Sequence, residues 1–270
     1  MVKSRPSRPR PPRVGIALGA GGTRGFAHVG VLETLREHRI PIDCIAGTSI
    51  GAVVGTLWAY GHPPDEIMTM VAETRRYLLK LTVPVHSLLS NRGIRKHIEN
   101  SARGRSFEDS PIPLGVVAAD LHTGKRVLFR RGKVAPAILA SSSIPGVFPP
   151  VKHGDQLLVD GGVCEPVPAE SVAELGAEIV IAVNLGACSE IQTRPGFGVV
   201  GTLLRTTEIL QAIAHAHTSV PADVVITPQL PSGSVTEQFE MAEQLRLAGR
   251  RATLAALPQL RRLLPWAAVV

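Results

Sequence analysis

The chain has 270 residues, of which 44% are hydrophobic and only 4% aromatic. That size and content fit one globular α/β domain whose interior is built mainly from Val, Leu, Ile and Ala. No uninterrupted apolar stretch reaches the roughly 18–20 residues that span a bilayer, so membrane contact is expected to be peripheral at most. Cys44, Cys164 and Cys188 are odd in number and lack metal-type spacing, which argues against a disulfide framework or a metal site and for a reducing, cytoplasmic setting.

The net charge of +7 is partly terminal, because Lys3, Arg5, Arg8, Arg10 and Arg13 all precede the first apolar run. Residues 1–13 read as a disordered or polyproline-like arm. Contact with anionic lipid, contact with nucleic acid, or no role beyond solvation all remain open for it. Without the arm the domain is only mildly basic, and no nucleic-acid partner is expected. The arm is not expected to be a signal peptide, since the apolar run after it is brief and enters glycines at once.

Val14 to Leu18 reads as a buried strand, followed by the loop Gly19-Ala20-Gly21-Gly22-Thr23-Arg24-Gly25 and a helix from Phe26 to His38 with Val29, Leu32 and Leu35 at helical spacing. Such a loop can leave several N–H groups pointing at an anion. A dinucleotide fingerprint fits poorly, because Arg24 stands where the third glycine belongs and Asp43 precedes the second strand instead of ending it. An oxyanion site formed by the Gly21 and Gly22 amides fits better, provided the first two strands are neighbours.

The second strand, Ile42 and Cys44 to Ala46, leads into Gly47-Thr48-Ser49-Ile50-Gly51 and an apolar helix from Ala52 to Tyr60. In this G-x-S-x-G the serine sits on a sharp strand-to-helix turn, where any side chain on the flanking glycines would meet neighbouring backbone. Ser49 is the candidate nucleophile. Further helices are expected from Asp65 to Leu81 and from Ile94 to Ala102, in a region placed where a substrate-access cap would be inserted.

Pro113 to Ala119 reads as a strand turning at Asp120-Leu-His-Thr-Gly124 into a hairpin partner, Arg126 to Phe129. A helix from Val134 to Ser141 then enters an irregular apolar loop ending at Pro150, suited to lining a pocket. Leu157 to Val159 is a short strand running into Asp160-Gly161-Gly162. Helices from Pro166 to Leu175 and Gly198 to His217, strands from Glu178 to Leu185 and Asp223 to Thr227, and C-terminal helices from Thr236 to Leu264 with a break near Pro258 complete the chain. The alternation predicts a central, mostly parallel sheet flanked by helices in three layers, with residues 14–230 as the catalytic domain and 231–270 as helices packed on it.

A serine hydroxyl needs a base within hydrogen-bond reach. One arrangement is a triad of Ser49, Asp120 or Asp160, and His215 or His217, although both histidines fall inside a helical pattern. The other is a dyad in which Asp160 takes the proton directly, which requires a desolvated carboxylate with a raised pKa about 3 Å from the hydroxyl.

Taken together, the motifs Gly19 to Gly25 with FAHVGVLETL, GTSIGA from Gly47, ASSSIPGVFPPV from Ala140, and Asp160-Gly161-Gly162 resemble the patatin-like phospholipases in kind and order. The resemblance implies a metal-free, cofactor-free Ser–Asp acyl hydrolase acting on fatty acyl esters of lipids, with Ser49 as nucleophile, Asp160 as base and then acid, and Gly21 and Gly22 as oxyanion hole. Arg24 matches the basic position of the glycine motif, either neutralising a phosphate or holding the loop. Cys164-Glu165 stands where similar sequences carry an asparagine ahead of Pro-Val-Pro. The scarcity of aromatic residues points to stronger activity on small soluble esters than on bilayers. A non-catalytic lipid-sensing protein on the same fold is the alternative.

Overall fold

The computed structural model describes residues 10–74, 90–186, 222–231 and 235–268, together with 198, 202, 203, 205–207, 209–211 and 213. The architecture is an eight-stranded sheet between helical layers. Its strands are β1 (Val14–Leu18), β2 (Cys44–Thr48), β3 (Leu114–Asp120), β4 (Arg126–Phe129), β5 (Val151–His153), β6 (Gln156–Asp160), β7 (Ile179–Val183) and β8 (Val224–Ile226). Five of them, in the order β3-β2-β1-β7-β8, run parallel. Around β3 the sheet turns antiparallel, with β4 and β6 both paired to it and β5 paired to β6.

The registers fix how β3 is shared. Its residues 116–119 face β4, 118–120 face β6, and Ile45 to Thr48 of β2 face Leu114 to Val117. A strand has two edges, and β4 overlaps both β2 and β6 along β3. Hence β4 holds one edge, while β2 and β6 share the other and meet end to end.

The helices are α1 (Phe26–Glu37), α2 (Ile50–Ala59), α3 (Pro64–Glu73), α4 (Arg92–Ala102), α5 (Val134–Ser141), α6 (Ala169–Glu174), α7 (Val235–Glu240) and α8 (Ala242–Leu263). Strand alternation divides the core. Val14, Ile16 and Leu18 of β1 join the large cluster formed with α1, α2, α5 and α8, whereas Ala17, with Ala46 and Ala182, packs beneath Val172 of α6. The small residues on that second face let a six-residue helix cover it.

Helices α1 and α8 cross closely. A Cβ on Gly30 would lie 1.9 Å from the Arg246 carbonyl oxygen, and one on Gly249 would lie 2.0 Å from that of Ala27. Arg246 clasps Glu33 across this crossing through two bonds of 2.7 Å. The C-terminal break falls at Met241, between α7 and α8, and not near Pro258, which lies inside α8. Pro258 sits on the exposed side while Leu257 and Leu260 are buried, so the Leu254 carbonyl it frees can be hydrated and packing keeps the helix intact.

Other departures are local. The hairpin of β5 and β6 closes through Gly154-Asp155, with Gly154 at φ 58°, and β5 has no counterpart in the sequence reading. The helix expected from Pro166 begins at Ala169, because Pro168 disfavours helical backbone angles at the preceding Val167. The expected helix from Asp65 is described as far as Glu73, and its continuation to Leu81 lies outside the described residues. Described positions between 202 and 213 are helical. Residues 1–9 of the basic arm are likewise outside the description, while Arg10 reaches Glu178 at 2.7 Å. Among the described residues no helix is long and apolar enough to cross a membrane.

Candidate active site

Ser49 is the turn between β2 and α2. Its backbone lies at φ 55°, ψ −121°, a conformation that costs a non-glycine residue roughly 1–3 kcal/mol. The surroundings enforce it. A Cβ on Gly47 would lie 2.5 Å from the Ala52 nitrogen, and one on Gly51 would lie 2.0 Å from the Leu18 carbonyl oxygen. Backbone packs against backbone on both sides of the serine, which leaves its side chain projecting from the strand end.

The Ser49 hydroxyl donates to Oδ2 of Asp160 at 2.6 Å. Its amide donates to Oγ of Ser141 at 2.8 Å. Asp160, at the end of β6, is 1% exposed, and its Oδ1 accepts the Gly162 amide at 2.8 Å. The Asp160 amide donates to the Ser143 carbonyl at 2.9 Å. The Ser141 to Ser143 stretch thus holds the backbone of both Ser49 and Asp160, while the Gly161-Gly162 turn holds the carboxylate. Burial pushes the Asp160 carboxyl up to about 6, against the opposing pull of the Ser49 and Gly162 hydrogen bonds. Such a carboxylate is ionised at neutral pH yet basic enough to accept a hydroxyl proton.

The glycine loop leaves the end of β1, the strand paired with β2, beside this pair. Gly19 donates to the Val183 carbonyl at 3.1 Å and Ala20 to that of Pro166 at 2.8 Å. Arg24 folds back so that its amide and Nε both reach the Gly21 carbonyl, at 3.2 and 3.1 Å. This is the loop-holding geometry of the two considered for Arg24. Gly25 packs against Ile50, and Gly22 borders the same cavity as Ser49. Among the described residues, the Gly21 and Gly22 amides donate to no carbonyl outside their own short helix.

His28 of α1, fully buried, contacts the Gly19 carbonyl through Nε2 at 2.8 Å. Its Nδ1 has no partner. Nε2 must therefore carry the proton and donate, and burial lowers the imidazole pKa to about 4. A neutral histidine beneath the loop is consistent with that geometry.

A cavity of about 320 Å³ opens from Ser49. Ile50, Val53, Leu57 and Tyr60, one face of α2, form one wall, and Ile94 and Ile98 of α4 face them. The lining is almost wholly apolar, as a hydrocarbon chain requires.

Asp120 is not part of this assembly. Its carboxylate accepts Thr123 Oγ1 at 2.8 Å and the His122 amide at 3.2 Å, bonds that hold it below the usual carboxylate range and close the β3–β4 turn. His215 and His217 lie outside the described residues. Among the described residues no group of three or more His, Cys, Asp or Glu side chains is placed to hold a metal ion. Ser141, His28 and Glu165 all bear on the site's geometry, and sequence reasoning gave none of them a role. The run Ser141-Ser142-Ser143 inside an apolar segment was the available signal for the first.

The family model described as patatin-like phospholipase matches residues 16–173, more than half of the chain, including the glycine loop, Ser49 and Asp160. An NTE family protein of Mycobacterium tuberculosis is 41% identical over 177 residues, covering 64% of this chain and 49% of its own length. Patatin-like phospholipase domain-containing protein 7 of Rattus norvegicus is 35% identical over 190 residues, covering 66% of this chain and 14% of its own. The chain thus spans about half the length of the first of these relatives and much less of the second. The crystal structure of VipD from Legionella pneumophila matches 92% of this chain and 67% of its own, with a TM-score of 0.50 at 12% identity, a likeness of fold alone. On the extent of the family match, the chain belongs to the patatin-like phospholipase family.

Proposed function

We propose that the protein is a serine carboxylic ester hydrolase that cleaves fatty acyl esters of phospholipids, lysophospholipids or related lipids. The observation that carries this reading is the 2.6 Å bond from Ser49 Oγ, which lines an apolar cavity, to a buried Asp160 carboxylate. Family membership supports the lipid class of substrate.

In this mechanism the acyl chain enters the cavity and its ester carbonyl lies against Ser49. Asp160 takes the hydroxyl proton as Oγ attacks the carbonyl carbon, and the developing oxyanion faces the Gly21 and Gly22 amides. The tetrahedral intermediate collapses, the C–O bond to the leaving alcohol breaks, and Asp160 returns the proton to that alcohol. Water then attacks the acyl-enzyme with Asp160 again as base, releasing the fatty acid and restoring the Ser49 hydroxyl. Every proton is accounted for by one carboxylate, whose raised pKa suits both halves of the cycle.

The test is labelling of the purified protein with a fluorophosphonate, mapping of the modified peptide, and hydrolysis assays on a panel of phospholipids, lysophospholipids and short-chain esters. Labelling at Ser49 alone, lost in Ser49→Ala, is expected. A folded protein that takes no label and hydrolyses no ester would overturn the reading in favour of a non-catalytic lipid-binding role.

A further inference from the structure

Glu165 lies five residues beyond Asp160 and is 3% exposed. Its amide donates to the Gly161 carbonyl at 2.9 Å, and its carbonyl accepts the Thr48 hydroxyl at 2.9 Å. One residue therefore joins the position after Asp160 to the position before Ser49. Its side chain is equally constrained. Oε1 accepts the Ser171 amide at 3.0 Å in the first turn of α6, and Oε2 accepts the Ser171 hydroxyl at 2.5 Å. Arg126 of β4 donates Nη1 to that hydroxyl at 2.7 Å and lies 3.5 Å from Oε2, while its other nitrogen pairs with Glu174.

A buried ion pair is expensive to desolvate and adds little stability over apolar packing of the same volume. What it supplies is fixed geometry, because a buried carboxylate with both oxygens hydrogen-bonded admits few alternative positions. Here the fixed segment is the one that bridges the two halves of the site.

We propose that Glu165 is a positioning residue: its carboxylate, clamped between Ser171 and Arg126, fixes the backbone that ties the Asp160 turn to Thr48 and so sets the separation of Ser49 from Asp160. The inference rests on the acyl-hydrolase reading above. It assigns no contact between Glu165 and substrate, so the effect belongs in the chemical step and not in binding of the acyl chain.

The experiment is steady-state hydrolysis of a soluble ester by Glu165→Ala, Glu165→Gln, Ser171→Ala and Arg126→Met, each checked for folding by circular dichroism. A displacement of the pair by a fraction of an ångström is expected to lower kcat in Glu165→Ala about tenfold or more, since a misplacement near 1 Å costs on the order of a hundredfold. KM should stay within about twofold. Glu165→Gln, which keeps an acceptor for the Ser171 amide, should recover part of kcat. Ser171→Ala combined with Arg126→Met should be no worse than the more damaging single change, because both act through one clamp.

Wild-type kcat in folded Glu165→Ala would overturn the proposal. If that variant does not fold, wild-type kcat in the folded Ser171→Ala, Arg126→Met double variant would do the same, as would losses that follow only the fraction of folded protein. An inactive, unlabelled wild-type protein would instead sink the acyl-hydrolase reading, and this inference with it.

Discussion

Replacing Asp160 with asparagine should abolish hydrolysis and, at neutral pH, make the protein more stable. The carboxyl is buried with its pKa raised from 3.8 to about 6. The sign follows directly: between those values the folded state binds a proton that the unfolded chain has released, so the stability Asp160 contributes is full below pH 3.8 and lost as pH rises through 6. At about 1.4 kcal/mol per pH unit the ionised carboxylate costs the fold about 3 kcal/mol at pH 8. An asparagine in its place would be free of that cost but would lose the accepting partner of the Ser49 hydroxyl, worth about 1 kcal/mol. The net expectation is a gain of about 2 kcal/mol at pH 8 that vanishes or reverses below pH 4.

His28 works in the opposite direction. Its pKa is depressed from 6.5 to about 4, so its contribution is present above pH 6.5 and lost as pH falls toward 4. Across that interval the two groups largely cancel in the wild-type protein, and Asp160→Asn should expose the histidine as a steeper acid destabilisation. Urea unfolding of both proteins at pH 4 and pH 8 measures this. A variant less stable than wild type at pH 8, or a difference that does not change with pH, would refute the desolvation argument. Substantial hydrolysis by the folded variant would remove Asp160 as the base.

In the wild-type enzyme kcat/KM should fall about tenfold per pH unit below about 6, as Asp160 takes up its proton; a flat acid limb would exclude it as the titrating base. Ser49→Ala and Ser49→Gly should both be inactive, yet the glycine variant should be more stable than the alanine one by about 1–3 kcal/mol, because φ 55° is strained only for a residue with a Cβ; equal stability in urea would place the strain elsewhere. Gly51→Ala, whose Cβ would meet the Leu18 carbonyl oxygen at 2.0 Å, should cost roughly 3 kcal/mol and displace Ser49, read as loss of fluorophosphonate labelling in the folded fraction. Tyr60 borders the cavity at the far end of α2, held by a 2.9 Å bond to the Ser106 carbonyl and by Arg105 over its ring. At 1.5 Å per residue it lies about 16 Å along the helix from Ser49, the reach of about 12 or 13 extended carbons with bonds near 1.5 Å. Tyr60→Ala should shift the preferred ester toward longer chains in a nitrophenyl ester series, and an unchanged optimum would show that the chain does not run along α2.

The parts of the site that sequence made legible are those dictated by local backbone constraints. Gly47 and Gly51 could be read as obligatory around Ser49 because a strand-to-helix turn leaves no volume at either position, and the structure shows backbone atoms occupying both. The neighbouring placement of β1 and β2, which the oxyanion reading required, is what the structure shows. What escaped were relations between residues far apart in the chain. Nothing local distinguishes Ser141 from its two neighbours as the acceptor of the Ser49 amide across 92 residues. His28 looked like one more position of an apolar helix, although its imidazole is spent on the Gly19 carbonyl. In the antiparallel half of the sheet the β3–β4 hairpin and the strand into Asp160 were legible, but β5 and its pairing with β6 were missed for a simpler reason. The Gly154-Asp155 pair is a hairpin signal, but β5 on its near side spans only three residues, too short for alternation to register.

That missed hairpin is what makes the pair of reacting groups possible. Ser49 and Asp160 are 111 residues apart, yet β2 and β6 lie on the same edge of β3, with Thr48 opposite Val117 and Asp160 opposite Ala118. The two strands approach from opposite directions and stop at adjacent positions of a third. Each must then leave the sheet at once, β2 through the strained turn at Ser49 and β6 through Gly161, where a Cβ would lie 2.3 Å from the Val117 carbonyl oxygen. Were all the strands parallel, two of them could not end facing one another along a single edge. Register matters as much as direction, because a slip of one residue between β6 and β3 would carry the Asp160 carboxylate to the opposite face. The hydrogen bond between hydroxyl and carboxylate is thus a product of sheet pairing, and β3, which contributes no reacting group, is the ruler against which both are placed.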